Sequence, residues 1–211
     1  MNTLSSDSRT AFRSGQIEEA EGSDRRERLY LNVFIRGTTP LLMVPNPNAE
    51  RTVIAKLSQG NPSELLVRHP QSGDIVIPGA WFKRSVRIAS SILRLWSHGF
   101  KDAVRAHCLI GGFASFGSAG GWTVYSHLRH LRGGSLETGL IRCPQFNNWT
   151  CTLLIPFEKP MTAQVVQRLI GTAGRDVGIG LFSVEQHGPY GKFQAEKWEW
   201  SEKPPASVSV H

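Results

Sequence analysis

"GRDVGIGLFSVEQHGPYGKF", Gly174 to Phe193, places five of the chain's 21 glycines in twenty positions and sets Arg175 and Lys192 among them. Two phosphate-binding signatures can be tested on it directly. A P-loop, G-x-x-x-x-G-K-[ST], needs a hydroxyl after its lysine to bind magnesium, and Gly191-Lys192 is followed by Phe193. A dinucleotide fingerprint needs the third glycine of G-x-G-x-x-G, whereas Gly178-Ile179-Gly180 is followed by Leu181-Phe182-Ser183. The meaning of the segment therefore depends on the elements that flank it.

Upstream, "KPMTAQVVQRLIGTAG" has Thr162 as a candidate N-cap and apolar Val165, Val166, Leu169 and Ile170, which predicts a short helix. Downstream, "YGKFQAEKWEW" reads as a final strand. Before the helix, "NWTCTLLIPF" alternates Trp149, Cys151, Leu153, Ile155 and Phe157 with other residues, and "LYLNVFIRG" does the same with Leu29, Leu31, Val33 and Ile35. This period of two marks half-buried strands. Between them, "DIVIP" is a brief extended run leading into "PGAWFKRSVRIASSILRLWSHG". There Phe82, Val86, Ala89, Leu93 and Trp96 share one helical face, Lys83, Arg87 and Arg94 lie opposite with Arg84 near them, and Gly99 is a stop signal. "AVRAHCLIGGFASFG" is expected to contain a strand, and "WTVYSHL" with the basic turn "RHLRGG" predicts a hairpin. Five prolines break residues 38 to 73.

Without its insertions the order is β-α-β-β-α-β, which predicts an α+β, ferredoxin-like (RRM-like) antiparallel sheet with the glycine-rich loop before its last strand. The expected organisation is a disordered tail over 1–28, one domain over 29–200 with insertions at about 38–73 and 117–147, and a flexible tail over 201–211. The open face of such a sheet is where RNA-recognition domains bind RNA.

Formal charge is +7. Residues 1–28 hold five Lys/Arg against six Asp/Glu, whereas residues 29–200 hold eighteen against ten, so the foldable part carries the positive charge. That balance favours a polyanionic partner. Cys108, Cys143 and Cys151 lack C-x-x-C spacing, which argues against a disulfide framework or a zinc site and points to a reducing, cytoplasmic compartment. No stretch approaches the ~20 apolar residues of a membrane span.

Three stretches together resemble the repeat-associated mysterious protein (RAMP) superfamily of CRISPR-associated proteins, which bind or process guide RNA. "IPGAWFKRSVR", Ile77 to Arg87, is similar to the phrase that opens their first helix. "GTTPLLM", Gly37 to Met43, resembles the exit from their first strand, and the glycine-rich segment occupies the place of their loop. The spacing departs from theirs, because Gly188 and Gly191 are separated by two residues. The chain is also shorter than most guide-RNA backbone subunits, which favours a minimal version, a handle-binding subunit, or a phage or plasmid relative.

The candidate RNA-binding residues follow. Gly178, Gly180, Gly188 and Gly191 can adopt positive φ and bring amides close to a phosphate, with Arg175 and Lys192 beside them, or they can simply close two turns. Lys83, Arg84, Arg87 and Arg94 can follow a phosphate backbone. His127, Arg129, His130 and Arg132 stand at the hairpin tip, which the resemblance implies reaches between nucleotides or to another subunit. Phe116, Trp122 and Tyr125 can stack on bases or fill a core. The histidines have no metal-ligand spacing, and no cofactor is expected. His187 and His107 are the candidates should the chain be a metal-independent guide-RNA endoribonuclease. The leading expectation is a noncatalytic subunit of a CRISPR-type effector complex that grips guide RNA, with single-stranded DNA as a second possible ligand. A phage-encoded structural protein that binds DNA or a protein partner is a third reading.

Overall fold

The computed structural model describes residues 28–49, 59–93, 100–130 and 138–201. The tail over 1–27, Arg94, Trp96, Gly99, Arg132 and the C-terminal residues from 202 lie outside them. Arg28 is not tail: it opens the first strand, β1 (Arg28–Gly37). The other elements are β2 (Leu41–Leu42), β3 (Val76–Pro78), α1 (Gly79–Leu93), α2 (Phe100–His107), β4 (Phe113–Ser118), β5 (Thr123–His130), β6 (Thr138–Phe146), β7 (Trp149–Glu158), α3 (Ala163–Thr172) and β8 (Phe193–Ser201). A π-helical turn, Ala173–Val177, continues α3.

The architecture is α+β with antiparallel sheets. A five-stranded sheet runs β3-β4-β7-β1-β8, and every pairing in it is antiparallel. Alternation in β1 and β7 fixes their register: Leu31 faces Ile155, Val33 faces Leu153 and Ile35 faces Cys151, all buried. These rows join Phe82, Val86 and Ala89 of α1 and Val166, Leu169 and Ile170 of α3 in one core. Each fully buried Leu, Ile or Phe contributes about 1.5–3 kcal/mol, against about 0–1 kcal/mol for a surface ion pair. Burial on this face therefore dominates the energetics of the sheet.

Thr162 caps α3 as its sequence predicts, its hydroxyl accepting from the Val165 amide at 3.4 Å. At the other end of the sheet, Trp149 is buried and its indole N–H donates to the Thr39 carbonyl at 2.9 Å. Its ring fills the place a Cβ on Gly37 would take, so the residue ending β1 must be glycine.

The strand expected in 103–117 is β4, and the residues before it form α2, with Val104 buried. The hairpin predicted within 117–147 is formed by β5 and β6. The β5–β6 hairpin pairs with β2 in a second, three-stranded sheet of order β2-β6-β5. Leu42, Val44, Leu65, Tyr125, Ile141, Cys143, Leu181 and Phe182 form its own small core.

Candidate nucleic-acid interface

The glycine-rich loop is a structural knot between α3 and β8. Gly178, Gly180 and Gly191 have φ of 74°, 80° and 69°. The Gly178 amide donates to Ala173 at 2.7 Å, that of Gly188 to Ser183 at 3.1 Å and that of Gly191 to Pro40 at 2.8 Å. Ile179 donates back to Gly191 at 3.0 Å, and Leu181 donates to Leu42 at 3.0 Å. A Cβ on Gly180 would lie 2.7 Å from the Leu42 carbonyl oxygen, and one on Gly188 would fall on that of Phe182. These glycines let main chain approach main chain. At Gly178, Gly188 and Gly191 this differs from a cradle of free amides, since a donor already held by a carbonyl is not offered to a phosphate.

The cations are arranged unequally. On α1, Lys83 and Arg87 are exposed, and among the described residues neither has a carboxylate within ion-pair distance. They are four residues apart, about 6 Å along the axis. Arg84, between them, is already engaged: its Nε donates to Glu185 at 3.1 Å and its Nη2 at 2.6 Å. Glu185 belongs to a short 3-10 turn of the glycine-rich loop, Val184–Gln186, so this pair ties the helix to the loop. Arg175, also in the loop, forms a fork with Asp176 at 2.9 and 2.7 Å. That hydrogen-bonded guanidinium holds the Asp176 carboxyl below its ordinary range. Lys192 is half-buried, and its amide donates to Thr39 Oγ1 at 2.9 Å.

Sequence reasoning missed Lys101 and Arg105, exposed on α2, which packs against α1. Their four-residue spacing was the available signal. It missed Glu185 as well, because nothing local ties residue 185 to residue 84.

The remaining candidates fall elsewhere. Arg129 and His130 lie in β5 opposite Gly139 and Thr138. His127 is exposed on the same strand. Tyr125 is buried against Tyr190, with ring centres 5.6 Å apart, so it fills a core, whereas Phe116 is half-buried, edge-on to Phe146 at 4.7 Å, and lines a groove beside β4. Trp122 packs against the main core. His187 is exposed in a left-handed conformation, φ 61°, and ends the 3-10 turn. His107 ends α2, its Nδ1 buried with no hydrogen-bond partner among the described residues. The two histidines thus sit on different elements.

On the sheet face opposite the helices, the ions of β1, β7 and β8 pair with one another: Arg28 with Glu158, Arg36 with Glu196 and Lys197 with Glu199. A groove of about 1600 Å³ along the β3–β4 side includes Tyr30, His69, Phe113, Leu154 and Pro156. Among the described residues no group of three His, Cys, Asp or Glu is placed to hold a metal. No described helix is long and apolar enough to cross a membrane.

No protein-family model matches the chain, and no curated protein sequence matches it. Among solved structures, it is similar to a chain of the cryo-EM structure of the Type III-B Cmr-beta bound to cognate target RNA, with TM-score 0.57 and 14% identity. The alignment covers 82% of this chain and 61% of that one. At that identity the likeness is one of fold.

Proposed function

We propose that the chain is a noncatalytic RNA-binding subunit of a CRISPR-type ribonucleoprotein effector complex, a RAMP-like protein or a phage or plasmid relative of one, that grips guide RNA by its sugar-phosphate backbone. The observation that carries this reading is the pair of cations, Lys83 and Arg87, which have no ion-pair partner among the described residues, on the exposed face of α1, continued by Lys101 and Arg105 on α2. Cations without internal carboxylate partners release counterions when they meet phosphates, giving affinity without sequence preference. The opposite face, where RNA-recognition domains bind, has its ions self-neutralised, so the RNA path belongs on the helical side.

Two further observations support the reading. The solved chain it resembles is part of a complex bound to target RNA. In the large sheet β1 lies between β7 and β8, with β4 outside β7. This order agrees with a ferredoxin-like core made of β1, α1, β4, β7, α3 and β8, with β3 added at its edge. The hairpin tip, Lys192 and Arg175 are secondary contacts in this scheme, and the cytoplasm is its setting.

Fluorescence anisotropy with an unstructured, labelled 20-nucleotide RNA tests the proposal across a salt series. The expected result is binding whose logarithm falls linearly with log salt, and a repeat-hairpin RNA left intact in EDTA. Salt-independent or absent binding overturns the phosphate grip, and metal-independent cleavage overturns the noncatalytic role.

A further inference from the structure

Arg84 is the one α1 candidate among the described residues whose guanidinium is already filled. Its partner, Glu185, presents two carboxylate oxygens to Nε and Nη2, the same edge-on geometry in which a guanidinium takes two oxygens of a phosphate. The contact is not sealed from water, since the side chains of Arg84 and Glu185 are 37% and 28% exposed. Nor is Arg84 remote from the free cations. At 3.6 residues per turn it lies about 60° around the helix from Arg87, so its release would widen the cationic row to three.

Resting on the function proposed above, we infer that Glu185 is a built-in competitor of RNA for Arg84. In the unbound chain its carboxylate occupies the fork; when a strand lies along α1, a phosphate replaces it and the loop end is let go from the helix. Glu185 then sets how much phosphate charge is required before the third cation is committed, and binding becomes coupled to the position of the glycine-rich loop. A pair that served only to brace the fold would contribute the same in bound and free protein.

The Glu185→Gln variant keeps the size of the side chain and removes the charge that competes. With the labelled 20-nucleotide RNA it is expected to bind about fivefold more tightly at 0.1 M salt. Its salt slope should match that of the wild type, because Arg84 meets one phosphate in both bound states, whereas Arg84→Gln should flatten the slope by about 0.7. Removing any negative charge near a polyanion favours binding, so the decisive arm is Glu185→Gln in an Arg84→Gln background, where the gain must fall to the screened charge effect alone, below about twofold. A gain that stays near fivefold without Arg84, or a slope that Arg84→Gln leaves unchanged, overturns the competition. Thermal unfolding of each variant, with Glu185→Ala as a second substitution, separates loss of fold from loss of effect. Wild-type protein that fails to bind RNA refutes the underlying function, whereas wild-type binding with no Glu185→Gln effect refutes this inference alone.

Discussion

Gly191 and Ile179 meet main chain to main chain: the Ile179 amide donates to the Gly191 carbonyl at 3.0 Å, and a Cβ on Gly191 would fall on the carbonyl oxygen of Ile179. Gly191 also has φ of 69°, where a side chain adds strain. Gly191→Ala is therefore expected to cost about 3 kcal/mol of stability by overpacking and backbone strain together. Chemical denaturation would show this as a lowered midpoint; a change below about 0.5 kcal/mol would mean the loop relaxes freely.

Lys83 and Arg87 should act through phosphates rather than through the fold. The double variant Lys83→Gln/Arg87→Gln is expected to reduce the salt slope by about 1.4 and affinity about 25-fold at 0.1 M salt, with stability within about 0.5 kcal/mol of wild type. Anisotropy titrations at four salt concentrations measure both quantities. An unaltered slope would remove α1 from the interface.

Trp149 should be sensitive to chemistry as well as volume. Trp149→Phe leaves the Thr39 carbonyl without its indole donor and should cost about 1–3 kcal/mol from the unmade hydrogen bond. Trp149→Ala should cost about 3–5 kcal/mol by leaving a cavity. Equilibrium unfolding of the two variants should preserve this order.

The thiols give a prediction in pH. Burial pushes Cys108 and Cys143 up to about 12, and Cys151 in the same direction. In the unfolded chain a thiol ionises near its ordinary value of about 8.5. The folded state then holds protons that the unfolded state has lost, so stability is full below that value and declines towards pH 12, by about 1.4 kcal/mol per pH unit for each thiol. Denaturation midpoints should fall above pH 9, and a thiol reagent should label native protein only on unfolding. Rapid labelling at pH 8 would contradict the burial.

Much of the fold was legible because its strongest elements are local. Leu31, Val33 and Ile35 alternate in sequence and point inward in β1; Phe82, Val86 and Ala89 recur at helical spacing and are buried on α1; Thr162 caps the helix it was expected to cap. What escaped was non-local. Leu41 and Leu42 carry no period, and only Phe146 and Gln145, about a hundred residues later, make them a strand. The site divides in the same way. Exposure of Lys83 and Arg87 follows from their helical face, but the occupied state of Arg84 depends on Glu185, and the uses of the loop glycines depend on the carbonyls of Ala173, Ser183 and Pro40.

β1 has a temporal consequence. Both of its neighbours, β7 and β8, begin at Trp149 and Phe193, more than a hundred residues downstream. On a ribosome, the first strand emerges long before either edge can be satisfied, and it cannot take its central position until synthesis has passed β8. Pairings of such long sequence separation slow folding and leave an apolar ribbon available to wrong partners. Nascent chains halted before residue 193 would have one side of that ribbon open, making the late arrival of β8 the step at which a chaperone matters most.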